Sequence, residues 1–328
     1  MKKNILITGS TGFVGSHMVE FILNNFNQYK IYCTKRYHLS RMDKVKNFIN
    51  KVTWLDCDIT DPIAVNKIIK TANPSKVFHF AAESFVSPSW NHPSRYMSVN
   101  YNGTLNLLEA LKVNHSKAKF LIPGSGEEYG EIPKMELPIT ENTQLRPVNP
   151  YAVTKVAQDL IGLVYFKSYG LKVIRTRTFN HEGPRRENVF GISSYAYQIA
   201  RIERRLQKPT IYVGHLDDKR NFTHVEDIIR AYWVASEKCV PGDLYLIGND
   251  NKNSIFTFKE ALKKLISLSH SRNIKYKLHK PFIRPTNVPY LIADTKKFKK
   301  LTNWSPKISF DKILSDTLNY WRSQKDLI

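Results

Sequence analysis

Ile5-Leu6-Ile7-Thr8 runs directly into Gly9-Ser10-Thr11-Gly12-Phe13-Val14-Gly15 and then into Ser16-His17-Met18-Val19-Glu20-Phe21-Ile22-Leu23. No other stretch restricts the fold as much. The first segment has the signature of a short buried strand and the last that of an apolar helix. Three glycines between them let the backbone turn tightly and approach a pyrophosphate, whose charge then meets a helix N-terminus. The spacing is G-x-x-G-x-x-G rather than G-x-G-x-x-G. An ordinary tight turn fits this strand–helix context poorly. Gly9, Thr11, Gly12, Phe13, Val14 and Gly15 are therefore expected to cradle a dinucleotide.

The units that follow keep the same order. Lys30-Ile31-Tyr32-Cys33-Thr34 reads as a second strand ending at Lys35-Arg36. An NAD site usually presents Asp or Glu here, whereas a basic residue accommodates the extra phosphate of NADP. No acid occurs from Asn27 to Met42, so NADP is expected ahead of NAD, with Arg36 on its 2′-phosphate. A solvated basic loop is the competing explanation of Arg36. A third strand, Val52–Leu55, leads to Asp58 and Ile59, where the carboxylate could meet adenine. A fourth, Val77–Phe80, ends in Ala81 and Ala82, small enough for a cofactor to lie close. Lys119–Ile122 and Val173–Arg177 continue the series. Repeated β-α units predict an α/β fold, a Rossmann-like doubly wound parallel sheet.

After about residue 180 the pattern changes. Ile192–Leu206 reads as a helix, Thr210–Val213 as a strand, Val225–Lys238 as a helix and Asp243–Gly248 as a strand returning to the main sheet. The expected division is an NADP-binding domain over 1–180, with 218–250 returning to it. Residues 181–217 and 251–328 would form a smaller substrate-binding lobe over the cleft at the strand ends.

Composition bounds the rest. With 328 residues, 42% of them hydrophobic, the chain can build one large α/β core or two lobes. Three cysteines, Cys33, Cys57 and Cys239, show no metal-ligand spacing and suit a reducing cytoplasm. No metal site is expected. No cleavable signal is expected at Met1-Lys2-Lys3, and no apolar stretch approaches membrane-spanning length. The formal charge of +22 is spread without a dense basic tail or a nucleic-acid motif. It fits an anionic cofactor and substrate better than nucleic acid as a partner.

Tyr151 and Lys155 stand four apart in Asn149-Pro150-Tyr151-Ala152-Val153-Thr154-Lys155. On a helix they share a face, so the ammonium could sit beneath the phenol and lower its pKa toward a usable proton acceptor. Asn149 suits an N-cap and Pro150 the first helical turn. Tyr276 and Lys280 have the same spacing, but in Ile274–Leu278, which alternates like a strand. Upstream, Ser125 and Glu127 sit two residues apart, which on an extended segment would aim both at one side. Glu128 would then face the other way.

Together these motifs resemble an extended short-chain dehydrogenase/reductase of the nucleotide-sugar-modifying kind. More narrowly, the chain resembles GDP-mannose 4,6-dehydratases and GDP-4-keto-6-deoxymannose reductases. The likeness rests on Thr8–Gly15, Ala81–Val86, Gly124–Gly130, Pro150–Lys155, Phe179–Arg186, Asp218–His224 and Arg284-Pro285-Thr286. It implies Ser125, Tyr151 and Lys155 as the oxidoreductive triad and Glu127 as the acid–base group of water elimination. It places His181 and Arg186, with Tyr151 and Lys155, against the cofactor. Ser84, Asn180, Arg185, Arg220 and Arg284 fall to a nucleotide-diphosphate sugar, GDP-linked. A homodimer or homotetramer is implied as well. Ser125 would bond the sugar O4, Tyr151 would take its proton as C4 is oxidised, and the 4-ketone would acidify C5 for loss of the C6 hydroxyl. Where such dehydratases carry Thr-Arg-Lys after the double arginine, this chain has Gly191–Ala196 with no basic residue, a reductase-like departure. A 4-keto-sugar reductase, a 4-epimerase and a non-enzymatic NADP-sensing protein are the alternatives.

Overall fold

The computed structural model describes residues 3–327, so Met1 and Lys2, on which the reading of an unprocessed N-terminus partly rests, lie outside the described residues. Seven parallel strands form the central sheet: β1 (Lys3–Thr8), β2 (Tyr29–Lys35), β3 (Thr53–Asp56), β4 (Lys76–His79), β5 (Lys119–Ser125), β6 (Lys172–Thr178) and β7 (Leu244–Ile247). Their spatial order is β3-β2-β1-β4-β5-β6-β7. The order reverses between β1 and β4, the crevice where doubly wound sheets bind ligands. Every strand expected from the apolar runs is present, and β7 pairs with β6 as expected, Leu244 opposite Arg175.

The longer helices are α1 (Phe13–Asn25), α2 (Pro62–Ala72), α3 (Gly103–Val113), α4 (Pro150–Tyr169), α5 (Gly191–Glu203), α6 (Val225–Lys238), α7 (Phe258–Ser267) and α8 (Phe310–Ser323). One face of the sheet buries Ile5, Ile7, Phe78 and Ile174 against Met18 and Ile22 of α1 and Ile228 and Tyr232 of α6. The other buries Leu6, Val77 and Phe120 against Ile68 of α2, Leu107 of α3 and Tyr165 of α4. Strands buried on both faces must be apolar throughout, which is why they read as runs rather than alternations. A separate core joins α5, α7 and α8 through Ile199, Leu262 and Leu314. Phe298 and Trp304 pack instead in the main-sheet core, although their stretch was assigned to the lobe from sequence.

Two local readings differ in outcome. Lys275–Leu278 is a strand paired with Thr210–Val213, so Tyr276 and Lys280 share no helical face. Glu127 lies in the short helical turn Gly126–Tyr129, not on an extended segment. The turn forms because Ser125 caps it: its Oγ accepts from the Glu127 amide at 3.2 Å, and Glu128 Oε1 accepts from the Ser125 amide at 2.7 Å.

Glu128 also anchors a buried ionic cluster. Arg177 donates Nε to Glu128 Oε2 and Nη2 to Asp159 Oδ2, each at 2.6 Å. Arg175 closes the cluster with bonds to Asp159 of 2.6 and 2.7 Å. Glu128 and Asp159 are 0% and 1% exposed, so each charge depends on its partners. Arg177→Met should cost about 3–5 kcal/mol of unfolding free energy, read by urea denaturation, because it strands Glu128 without a counter-charge. A loss below about 1 kcal/mol would show that water, not Arg177, satisfies that carboxylate.

Candidate active site

A cleft of about 410 Å³ opens at the C-terminal ends of β1, β2 and β4. Gly9, Thr11, Gly12, Arg36, Asp58, Ile59, Ala81 and Ala82 all line it, as expected for cofactor residues. Gly9 has φ +67°, and a Cβ there would lie 2.6 Å from the Phe80 and Ala81 backbone. A Cβ on Gly15 would lie 2.2 Å from the Gly9 carbonyl oxygen, so the turn and α1 can meet only at glycine. Val14 packs against the core beneath the turn.

At the adenosine end the cations divide. Lys35 pairs with Asp56 at 2.5 Å, Arg95 with Glu83 at 3.2 Å, and Lys44 with Glu187. The Arg36 and Arg41 guanidiniums have no carboxylate within ion-pair distance among the described residues, and both line the cleft. Burial opposes the Asp58 charge, yet bonds from the Thr60 amide and hydroxyl hold its carboxyl below the ordinary value. At the other end His181 stacks on Phe13, centroids 5.8 Å apart and planes 6° apart. Burial, then the Arg186 charge, brings the His181 imidazole down to about 4, so it is neutral at pH 7. Arg186 lies over Phe190 at 3.6 Å and Phe13 at 5.0 Å. Its buried Nε has no hydrogen-bond partner among the described residues, and Glu182 Oε2 is 4.0 Å away. A glycine cradle, unpaired guanidiniums and an orphaned buried donor fit a phosphate-bearing dinucleotide.

The expected catalytic residues gather at the end of β5 and the start of α4; Glu127 lines a second cleft, whereas Ser125, Tyr151 and Lys155 line neither. Ser125 ends β5, and α4 opens under an Asn149 cap that accepts from the Ala152 amide at 2.8 Å. The Ser125 and Tyr151 hydroxyls share a hydrogen bond. Burial dominates the phenol and raises it above its ordinary value; the Ser125 bond opposes this, and Arg186 does so more weakly. Lys155 was expected to lower the phenol, but its ammonium is turned to the Pro123 carbonyl at 2.6 Å and to Gln158 Oε1. Burial brings Lys155 down to about 8, against the pull of Glu128 and Asp159.

The second cleft, about 800 Å³, is lined by Glu127, Asn180, Arg220 and Arg284. Glu127 Oε2 accepts from Asn149 Nδ2 at 3.1 Å, and Oε1 lies 3.9 Å from Arg284 Nη1. Arg220 is 4% exposed and donates to the Val288 carbonyl at 2.6 Å. Two of the residues expected on the sugar line neither cleft. Arg185, at φ +70°, turns to Glu20 of α1 at 2.5 Å and lines neither cleft. Ser84 is exposed on the chain between Ala82 of the first cleft and Phe85 of the second. An aromatic group went unread in the sequence. Tyr212 and His279 are 5.4 Å apart and His279 and Phe282 4.9 Å apart, all lining the second cleft. Pairing of Thr210–Val213 with Lys275–Leu278 brings them together, and no local spacing announces it.

A doubly wound parallel sheet with a glycine turn between β1 and α1, and with Ser125, Tyr151 and Lys155 at the end of β5 and the start of α4, has the make-up of an extended short-chain dehydrogenase/reductase. The family model described as GDP-mannose 4,6 dehydratase matches residues 6–317, and the chain belongs to that family. Its relatives include GDP-6-deoxy-D-mannose reductase of Pseudomonas aeruginosa, 28% identical over 99% of both chains. GDP-mannose 4,6-dehydratase of Yersinia enterocolitica is 28% identical over 96% of this chain and 92% of its own. Among solved structures, RMD from Pseudomonas aeruginosa complexed with NADPH superposes with TM-score 0.84 at 27% identity, covering 98% of this chain and 99% of that one. dTDP-glucose 4,6-dehydratase from Bacillus anthracis in complex with NAD gives 0.84 at 27% identity, covering 99% and 98%. A nicotinamide cofactor is thus common to the fold's neighbours, in both its forms. No helix of the described residues is long and apolar enough to cross a membrane.

The free guanidinium of Arg36 generates a test. Arg36→Glu should weaken NADP at least about tenfold while changing NAD binding little, because a like charge replaces the phosphate's partner. Titration of both cofactors decides it, and equal losses would remove Arg36 from 2′-phosphate recognition.

Proposed function

We propose that this protein is an NADP-dependent nucleotide-sugar 4,6-dehydratase acting on a GDP-linked hexose, GDP-mannose, in the cytoplasm as a homodimer or homotetramer. One observation carries the reading: the Glu127 carboxylate lies in the sugar cleft, two residues from Ser125, held by Asn149 and facing Arg284. A reductase needs Ser125, Tyr151 and Lys155, but no carboxylate at that place.

Ser125 accepts or donates at the sugar O4 and holds it against Tyr151. Tyr151 takes the O4 proton, and the Lys155 ammonium, one helical turn further along α4, supports the negative charge. A nicotinamide held at the glycine turn would supply the hydride acceptor for C4 and the hydride donor for C6, so that the overall reaction is redox-neutral. The 4-ketone so formed acidifies the C5 proton, because the carbanion delocalises onto oxygen. Glu127 serves the proton transfers at C5 and at the departing C6 hydroxyl. Arg220 and Arg284 present forked donors to the diphosphate, and Asn180 faces the sugar. His181 and Arg186 hold the cofactor side.

Reduction of a 4-keto-6-deoxy sugar is the second reading. It is favoured by end-to-end alignment with a GDP-6-deoxy-D-mannose reductase and by the absence of a basic residue in Gly191–Ala196, three of whose residues line the cleft.

Tyr151→Phe should lower turnover by roughly two to four decades and leave NADP binding intact, as loss of one acid–base group does. Turnover within about threefold of wild type would end the case for Tyr151. Glu127→Gln separates the two readings. Given GDP-mannose without added NADPH, wild type should wash deuterium into C5 and form a 6-deoxy-4-keto sugar. The variant should lose both and hold reduced cofactor, seen as nicotinamide absorbance in a single turnover. Wild type that forms no 6-deoxy sugar, yet consumes NADPH with a 4-ketosugar, is the reductase.

A further inference from the structure

Behind Lys155 runs a chain of buried polar groups that take no part in the chemistry proposed above. Lys155 donates to Gln158 Oε1, and Gln158 Nε2 donates to Thr104 Oγ1 at 2.6 Å. His79 Nε2 meets the same hydroxyl at 2.9 Å, and His79 Nδ1 meets Thr8 Oγ1 at 2.7 Å. Thr104 gives its own proton to the Asn100 carbonyl at 2.7 Å. A hydroxyl has one proton and two lone pairs, so Thr104 can only accept from Gln158 and from His79. That fixes His79 as the Nε2–H tautomer, with Nδ1 accepting from Thr8. It equally fixes the Gln158 amide, since only its NH₂ can face an accepting hydroxyl, and its carbonyl must then face Lys155. Thr8, His79, Thr104 and Gln158 are 0%, 1%, 0% and 1% exposed, so water cannot substitute for any link. Burial, with the Lys155 charge adding to it, takes the imidazole down to about 3, and the ring stays neutral in its fixed tautomer.

The links come from β1, β4, α3 and α4, elements far apart in sequence. The far end adjoins the cofactor cleft: Thr8 immediately precedes Gly9, and its Oγ1 accepts from the Ala81 amide at 3.2 Å, both of these neighbours lining the cleft. We propose that Thr8, His79, Thr104 and Gln158 form a positioning chain that fixes the Gln158 carbonyl on Lys155 and so sets, together with the Pro123 carbonyl, where the ammonium stands. The inference rests on the reading of Tyr151 and Lys155 as the catalytic pair.

The charged and titratable groups facing Lys155 are Asp159 on its own helix, Glu128 from the turn after β5, Arg177 of β6 behind Glu128, and His79 of β4. Lys155 must be an ammonium to support a phenolate, so its support is present below the lysine's pKa and is lost as pH rises through it, which sets the alkaline limb of turnover. Burial sets that value near 8. Removing the Gln158 carbonyl removes a bond to the charged form, which moves the value lower still.

Turnover of GDP-mannose by the full chain with NADP, followed against pH, tests this. Gln158→Leu should bring the alkaline limb of kcat down by about one to two pH units, the shift equal to losing one hydrogen bond to a charged group. KM and NADP affinity should stay near wild type. Thr104→Val, which frees the Gln158 amide, should move the limb the same way, and Thr104→Ser should not. A role in packing alone would lower stability and leave the limb in place. A folded Gln158→Leu enzyme with the wild-type limb overturns the proposal. Should that variant not fold, Thr104→Val and Thr104→Ser with one common limb overturn it equally. A Tyr151→Phe enzyme with full turnover removes the catalytic reading and this inference with it. An inactive Tyr151→Phe enzyme beside an unmoved Gln158→Leu limb removes this inference alone.

Discussion

The buried charge cluster of Glu128, Arg177, Asp159 and Arg175 is the constraint on which the site's geometry depends. Glu128 holds the Ser125 amide with one oxygen and Arg177 with the other. Arg177 reaches Asp159, which lies on the helix that carries Tyr151 and Lys155. The serine at a strand end and the tyrosine at a helix start are thereby tied through ions that exchange no contact with solvent. Buried pairs of this kind contribute little net stability against an apolar replacement of equal shape, but removing one partner is costly. Their consequence here is geometric: β5, β6 and α4 cannot slide without unpairing a charge.

The same economy of partners divides the cations of the two clefts. Most basic residues around the cofactor cleft already have carboxylates: Lys35 has Asp56, Lys44 has Glu187 and Arg95 has Glu83. Arg36 and Arg41 have no carboxylate partner among the described residues, and Arg186 is desolvated with a buried donor unmet. In the sugar cleft Arg220 is held by backbone carbonyls and Arg284 stands near Glu127. A formal charge of +22 therefore acts locally, through the few guanidiniums not already committed to a carboxylate.

Much of the site was legible because it is written in contiguous motifs. Gly9 and Gly15 stand where a Cβ would strike backbone, so their presence alone marks a close turn. Asn149 and Pro150 announce the start of α4, and with it the direction of Tyr151 and Lys155. Arg185 was misplaced because adjacent arginines look equivalent in a sequence. Its left-handed backbone sends it to Glu20 while Arg186 turns inward over Phe13 and Phe190. The effect expected of Lys155 on Tyr151 differed for a similar reason. Spacing puts two residues on one face, but the ammonium is directed by the Pro123 carbonyl, which the packing of α4 on β5 supplies, and by Gln158 three residues further along α4.

By itself the sequence determined the parallel sheet, the place of the dinucleotide turn and the identity of the groups able to move a proton. These follow from short-range rules: apolar runs, glycines between strand and helix, and helical spacing. Tertiary structure alone decided which charges are neutralised, which tautomer His79 adopts and which aromatic rings face the sugar cleft. Each of those outcomes depends on a partner tens of residues away, such as Thr104 for His79 or Lys275–Leu278 for Thr210–Val213. Burial then fixes the result, because a polar group without water must take the one partner within reach.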